Sequence, residues 1–179
     1  LVDQKGNPQR HPLNEWYRTP NMERLAKQGV RFSTFYAQSV SSPTRASIMT
    51  GQNATRHGTT NWINAESNNR NIYGPYDWNW KGLELSDQIY PAVLSEAGYT
   101  AIHVGKAHFG SNVSQGVDPK NIGFDVNIAG SAIGQPGSYY GKHGYGWIKG
   151  NKARAVPHLE EYHGTNTFLT DALWKQGKR

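Results

Sequence analysis

The alternation of apolar and polar positions changes period several times along the chain, and each change marks an element. After Thr19-Pro20, residues Met22, Leu25 and Ala26 recur at helical spacing up to Gly29, which predicts a capped amphipathic helix. Val30 to Tyr36 then alternates apolar with polar, the pattern of a strand. Ser41 to Thr50 reads as one short helix, with Pro43 at its first helical position and Gly51 in the left-handed position that ends it. A second helix covers Leu85 to Ala97, with Ile89, Val93, Leu94 and Ala97 as its apolar face. Pro91 sets the start of its regular part near Tyr90, and Gly98 stops it. Tyr99 to Val104 is a short β-rich run, expected to be buried in a parallel sheet. Thr165 to Lys175 predicts a last helix with Phe168, Leu169, Ala172 and either Leu173 or Trp174 inward. This order predicts an α/β fold, a mixed, mostly parallel sheet sandwiched between helices.

Composition qualifies that picture. A chain of 179 residues is long enough for one domain, but only 36% of it is hydrophobic and it holds 20 glycines, six tryptophans and ten tyrosines. That balance describes a loop-rich segment on one side of a larger core. The chain has no cysteine, so neither a disulfide nor a thiolate metal site can form within it. No apolar run approaches a membrane span. The net charge of +6 asks for an anionic partner or is ordinary solvated surface. There is no nucleic-acid motif and no basic amphipathic helix, and the positive charges are scattered, with loose groups at Lys142–Lys152 and Lys175–Arg179.

Two runs carry chemistry. The first is Ser41-Ser42-Pro43-Thr44-Arg45-Ala46-Ser47-Ile48-Met49-Thr50-Gly51. If Pro43 opens the helix, Ser41 stands just outside an N-terminus, where free N–H groups and the dipole attract an anion. Arg45 adds a permanently charged fork suited to sulfate or phosphate oxygens. The alternative is a helix cap with an exposed arginine. The second run is Gly98-Tyr99-Thr100-Ala101-Ile102-His103-Val104-Gly105-Lys106-Ala107-His108. Lys106 and His108 follow the C-terminal end of the strand, where open α/β sheets place ligands, and an extended chain would point both side chains the same way.

Together these runs resemble the type I sulfatase family. Its signature reads Cys or Ser, any residue, Pro, any residue, Arg, closing in Thr-Gly, and its second element reads Gly-Tyr-x-Thr followed by Gly-Lys-x-His. The resemblance implies an alkaline phosphatase/sulfatase-like fold and a sulfuric ester hydrolase acting on a sulfated carbohydrate. It makes Ser41 the precursor of formylglycine, oxidised by a maturation enzyme, whose hydrated aldehyde attacks sulfur through one hydroxyl and releases sulfate through the other. By the same resemblance Arg45 stabilises that hydrate, Lys106 binds a sulfate oxygen, and His108 contacts the diol as the base of the eliminating step. A divalent cation, calcium in most of the family, is expected to touch the modified Ser41. A periplasmic or extracellular bacterial location is expected on the same grounds. With a sulfated substrate in view, the basic excess finds an economical explanation.

The chain departs from the family pattern at Leu1-Val2-Asp3-Gln4, where the family's paired metal-binding aspartates and their strand are not seen. Nor are the later metal pair, the second histidine or the second lysine recognisable. The expectation is that residues 1–179 form an internal, N-terminal-side piece of a catalytic sulfatase domain, unable alone to hold calcium properly or turn over.

Asn61 to Lys81 gathers Trp62, Tyr73, Tyr76, Trp78 and Trp80 among asparagines and glycines, either as a glycan pocket or as an aromatic-pinned structural loop. Gly130 to Trp147 is a glycine-punctuated loop whose place in the chain makes Ser131 and His143 candidates for substrate contact. His103 is expected to pack inside, and His57 to border the pocket. Two other readings stand beside the sulfatase: a phosphate or phosphonate ester hydrolase of the same superfamily, and a non-catalytic glycan-binding relative.

Overall fold

The computed structural model describes residues 5, 9, 11–146 and 154–179. Asp3, Trp147 and Lys152 lie outside the described residues. The chain divides into two compact units, residues 1–36 and 37–179.

The first unit holds a 3-10 turn, Pro12–Trp16, and helix α1, Pro20–Gln28. Pro20 opens α1 as expected of a residue with no N–H to satisfy. Thr19 makes no side-chain capping bond, and Gly29 is extended (φ −114°), its N–H closing on Leu25 O. Met22 and Leu25 are exposed. The alternation over 30–36 produces no strand. Among the described residues nothing pairs with it, and alternation alone does not make a ladder.

In the second unit, helix α2 is Ser41–Thr50, followed by the short α3, Ala54–His57, with α4 at Tyr90–Glu96 and α5 at Leu169–Gly177. Strands β1, Ile102–Val104, and β2, Val126–Ile128, pair in parallel, with His103 opposite Asn127. Their connection runs through two 3-10 turns, Gln115–Val117 and Pro119–Ile122. The sheet is thus parallel as expected, but only its central row is buried: His103 and Asn127 face inward while Ile102 and Val104 are exposed.

One core forms where α2 lays Ala46 and Met49 against Leu83, Ile89, Ala107, Phe109, Ile122 and Phe124. Phe109 and Phe124 stack with centroids 6.2 Å apart, and His103 packs edge-on to both, with centroids at 5.5 and 5.3 Å. A second core under α5 joins Ala172 to Ala129, Tyr145, Val156, Leu159 and Tyr162, with Leu169 and Leu173 packed on it. Leu173, not Trp174, is the inward residue, and Phe168 stacks against Tyr139 instead. In α4 the buried residues are not those of the expected face: Pro91 is buried and Ala92 packs on the core, while Val93 and Leu94 stay exposed. Ile89 is buried as the residue that precedes the helix.

Candidate active site

The first turn of α2 starts two residues earlier than the proline rule predicts. Val40 is the extended cap residue, Ser41 is the first helical residue and Pro43 the third. All three positions lack intrahelical N–H partners, so proline is as comfortable at the third as at the first. Val40 offers no side-chain cap. Gly51 closes the helix in the left-handed conformation (φ 66°).

Across from this turn, the chain after β1 leaves the extended state. Gly105 has φ 98° and His108 has φ 53°, so the alternation argument for Lys106 and His108 fails. Both side chains still reach one cleft, because the chain curls after the strand end. A histidine in the left-handed region carries roughly 1–3 kcal/mol of strain. The position is held by its N–H donating to Ser131 O at 2.9 Å and by a buried ring.

The ring is fixed through its nitrogens. His108 Nε2 lies 2.7 Å from Ile63 O. A carbonyl only accepts, so Nε2 carries the proton and Nδ1 presents its lone pair. That lone pair faces Ser41 Oγ at 3.2 Å. Ser42, fully buried, accepts from Ile63 N–H at 2.9 Å and sits 3.4–3.5 Å from both ring nitrogens. Burial pushes the His108 pKa down; the Ile63 carbonyl opposes this, and the charges of Lys106 and Arg45 add to it. The imidazole is therefore kept neutral and able to accept a proton from residue 41.

Arg45 reaches across to the second run. Its Nε donates to Ala107 O at 2.7 Å and an Nη2 N–H to Lys106 O, with the guanidinium 5.7 Å from the centre of the Phe109 ring. It clasps the loop that bears Lys106 and His108 to the signature helix. Burial lowers its pKa, and burial together with the Arg45 charge lowers that of Lys106.

The cleft has a volume of about 560 Å³ and is lined by Ser41, Lys106 and His108 together with Trp62, Gly134 and Arg154, among others. Ser131 and His143 are not in its lining. Ser131 gives its carbonyl to His108 and its Oγ to Ile133 N–H, while His143 Nδ1 is 2.7 Å from Ser138 Oγ. His57 packs behind α2, 3.0 Å from Ser47 Oγ. Sequence reasoning missed Ser42, whose only signal is a hydroxyl at the signature's free position. It also missed Ile63, which acts through its backbone. Gly134 was missed too: a Cβ there would lie 2.8 Å from His108 Cε1, so only glycine leaves the ring its place.

Among the described residues no group of three or more His, Cys, Asp or Glu can hold a metal ion, and Glu66 is the one acidic residue in the cleft lining. A hard cation wants several oxygen donors, carboxylates above all. These residues do not fit calcium by themselves, and Ser41 has no acidic partner there.

The family model named Sulfatase matches residues 4–173. The chain belongs to the sulfatase family. Over 145 residues it is 35% identical to human (Homo sapiens) N-acetylgalactosamine-6-sulfatase, covering 80% of this chain and 24% of that protein. It is 34% identical to rat (Rattus norvegicus) arylsulfatase G over 60% of this chain and 18% of that one. The solved structure of Ps i-CgsB in complex with k-i-k-neocarrahexaose superposes with a TM-score of 0.60 at 26% identity, over 88% of this chain and 34% of that one. The chain thus spans about a quarter or less of the length of these curated sulfatases. The structural likeness bears out the sulfatase-like α/β fold.

Proposed function

We propose that the whole protein hydrolyses a sulfate ester on a carbohydrate and that Ser41 is its nucleophile precursor, oxidised to formylglycine by a maturation enzyme. The observation that carries this reading is the contact of Ser41 Oγ with the unprotonated Nδ1 of His108, at the mouth of a cleft shared with Lys106, in a chain of the sulfatase family. Similarity to an N-acetylgalactosamine-6-sulfatase and to a protein solved with a carrageenan oligosaccharide supports the carbohydrate class.

Formylglycine supplies a hydrated carbonyl with two hydroxyls, one to attack sulfur and one to expel sulfate. The chain's own residues do the rest. Lys106 offers its ammonium to a sulfate oxygen at the cleft wall. His108 holds or takes a proton at Nδ1 from the side-chain oxygen of residue 41, while Ile63 O keeps the other nitrogen protonated. Arg45 fixes the distance between helix and loop. Calcium finds no sufficient donor set among the described residues, and no step is assigned to it. The same reading places the protein in the periplasm or outside the cell, where sulfated polysaccharides are encountered.

The deciding experiment is a mass measurement on the complete protein from its own host. Trypsin releases Phe32 to Arg45 as one peptide. Loss of two hydrogens at Ser41, with an aldehyde-reactive probe labelling the same peptide, is the expected result. Serine left unmodified in every molecule overturns the formylglycine mechanism. Paired sulfate and phosphate esters of one sugar then separate a sulfatase from a phosphate ester hydrolase.

A further inference from the structure

The loop between residues 61 and 81 divides its aromatic residues into two sets. Trp78 is buried, 5% exposed, with its indole N–H donating to Asn68 Oδ1 at 3.1 Å. That ring pins the loop. Tyr73 and Tyr76 do not: they are 91% and 83% exposed and contribute almost nothing to the core. Each leaves apolar ring surface open to water.

Arg70 lays its guanidinium over the Tyr76 ring, 4.4 Å from the centroid. Stacking of this kind holds the planar cation by its face and leaves its N–H edge for an anion. Beside it is a depression of about 370 Å³, lined by Asn61, Arg70, Asn71, Tyr73 and Trp78 among others. The volume lies in the ordinary range of small-molecule sites, roughly 300–1,000 Å³. Aromatic faces, amide side chains and one fork-shaped cation are what an anionic sugar ring requires: stacking for its C–H face, amides for hydroxyls, guanidinium for sulfate.

Position ties this depression to the cleft. Asn61 lines the depression, and its neighbour Trp62 lines the cleft that holds Ser41 and His108. Asn69 Nδ2 donates to Trp62 O at 3.0 Å, binding the far arm of the loop to that shared wall. The depression and the cleft thus share the wall formed by Asn61 and Trp62.

We propose that the 61–81 loop forms a second carbohydrate subsite, which holds the neighbouring sulfated sugar of an extended glycan through Tyr73 and Arg70. This rests on the carbohydrate reading of the cleft, and the test separates the two. The complete protein and its Arg70→Gln/Tyr73→Ala double variant are titrated calorimetrically with a carrageenan tetrasaccharide, a chondroitin 6-sulfate tetrasaccharide and the matching sulfated monosaccharides. Sulfate release is followed on the same samples. Both residues are exposed, so the variant is expected to fold, which circular dichroism checks. At least one tetrasaccharide should bind more tightly than its monosaccharide, and the double variant should lose about tenfold or more of that tetrasaccharide affinity. Tetrasaccharide affinity no better than that of the monosaccharide, or unchanged in the variant, overturns the subsite. Release of sulfate alongside unchanged binding removes the subsite and leaves the sulfatase. Variant-sensitive binding with no release from any of these sugars keeps the subsite and removes the sulfatase reading.

Discussion

Arg45 stands in the signature and has a part in the fold that the motif does not announce. Its charge and shape fit an anion, yet the Nε and an Nη2 N–H are both spent on the carbonyls of Ala107 and Lys106. A lysine has the charge without the fork, and one ammonium cannot reproduce both bonds. Arg45→Lys is therefore expected to reduce kcat about 100-fold in the complete protein by loosening the Lys106–His108 loop, as steady-state kinetics would show. Retained kcat would mean that the clasp is dispensable. Ser42 is the reverse case, a side chain that no motif announces. Ser42→Ala leaves the buried Ile63 N–H without its acceptor and is expected to cost about 1–3 kcal/mol, read from a urea denaturation midpoint. The residues legible from sequence are those whose side-chain chemistry is itself the signal: Ser41, Lys106 and His108, which the fold brings to one cleft. Ile63 was illegible because a backbone carbonyl leaves no trace in residue identity. Ser131 and His143 are candidates by place in the chain alone, and in the structure their side chains bond Ile133 N–H and Ser138 Oγ.

At the level of elements, helices survived the passage from pattern to structure better than strands. Glycine and proline punctuate a helix locally, so α4 begins at Tyr90 and Gly98 follows it in the left-handed region, as the sequence predicts. A strand exists only through its partner. The run after Thr100 finds one in β2, while the alternating run over 30–36 finds none among the described residues. The apolar face of α4 was misread for a related reason: with only a few turns, which side is covered depends on what packs there, and Ala92 meets the core where Val93 and Leu94 do not. The loop after β2 carries a sharper constraint. Gly134 lies so close to the His108 ring that an added methyl, 2.8 Å from Cε1, must displace it. Gly134→Ala is expected to lower kcat by about 10- to 100-fold with a smaller change in KM, since the ring facing residue 41 moves more than the rest of the cleft wall. An unaltered kcat would show that the ring adapts.

Across the whole molecule, two buried histidines couple stability to acidity. Burial lowers the pKa values of His103 and His108 below the ordinary histidine value of 6.5. The unfolded chain then binds protons that the folded one refuses, so their contribution is complete above that value and is lost as pH falls below it. The unfolding midpoint of the complete protein should drop between pH 7 and pH 5 (about the range a histidine spans). His103→Leu, which keeps an apolar side chain against Phe109 and Phe124 without a titrating group, should flatten part of that slope. A slope identical to that of the parent would rule out His103 as its source. The sheet has a consequence of another kind. β1 and β2 are three residues each, and Ile102 and Val104 are open to solvent. Strand rims of this sort recruit other strands, whether from elsewhere in the same polypeptide or from neighbouring copies. Purified as residues 1–179 alone, the material should therefore be colloidally unstable, its scattered light growing with concentration. Introducing lysine at Ile102, which is not among the residues lining the cleft, should lower that scattering.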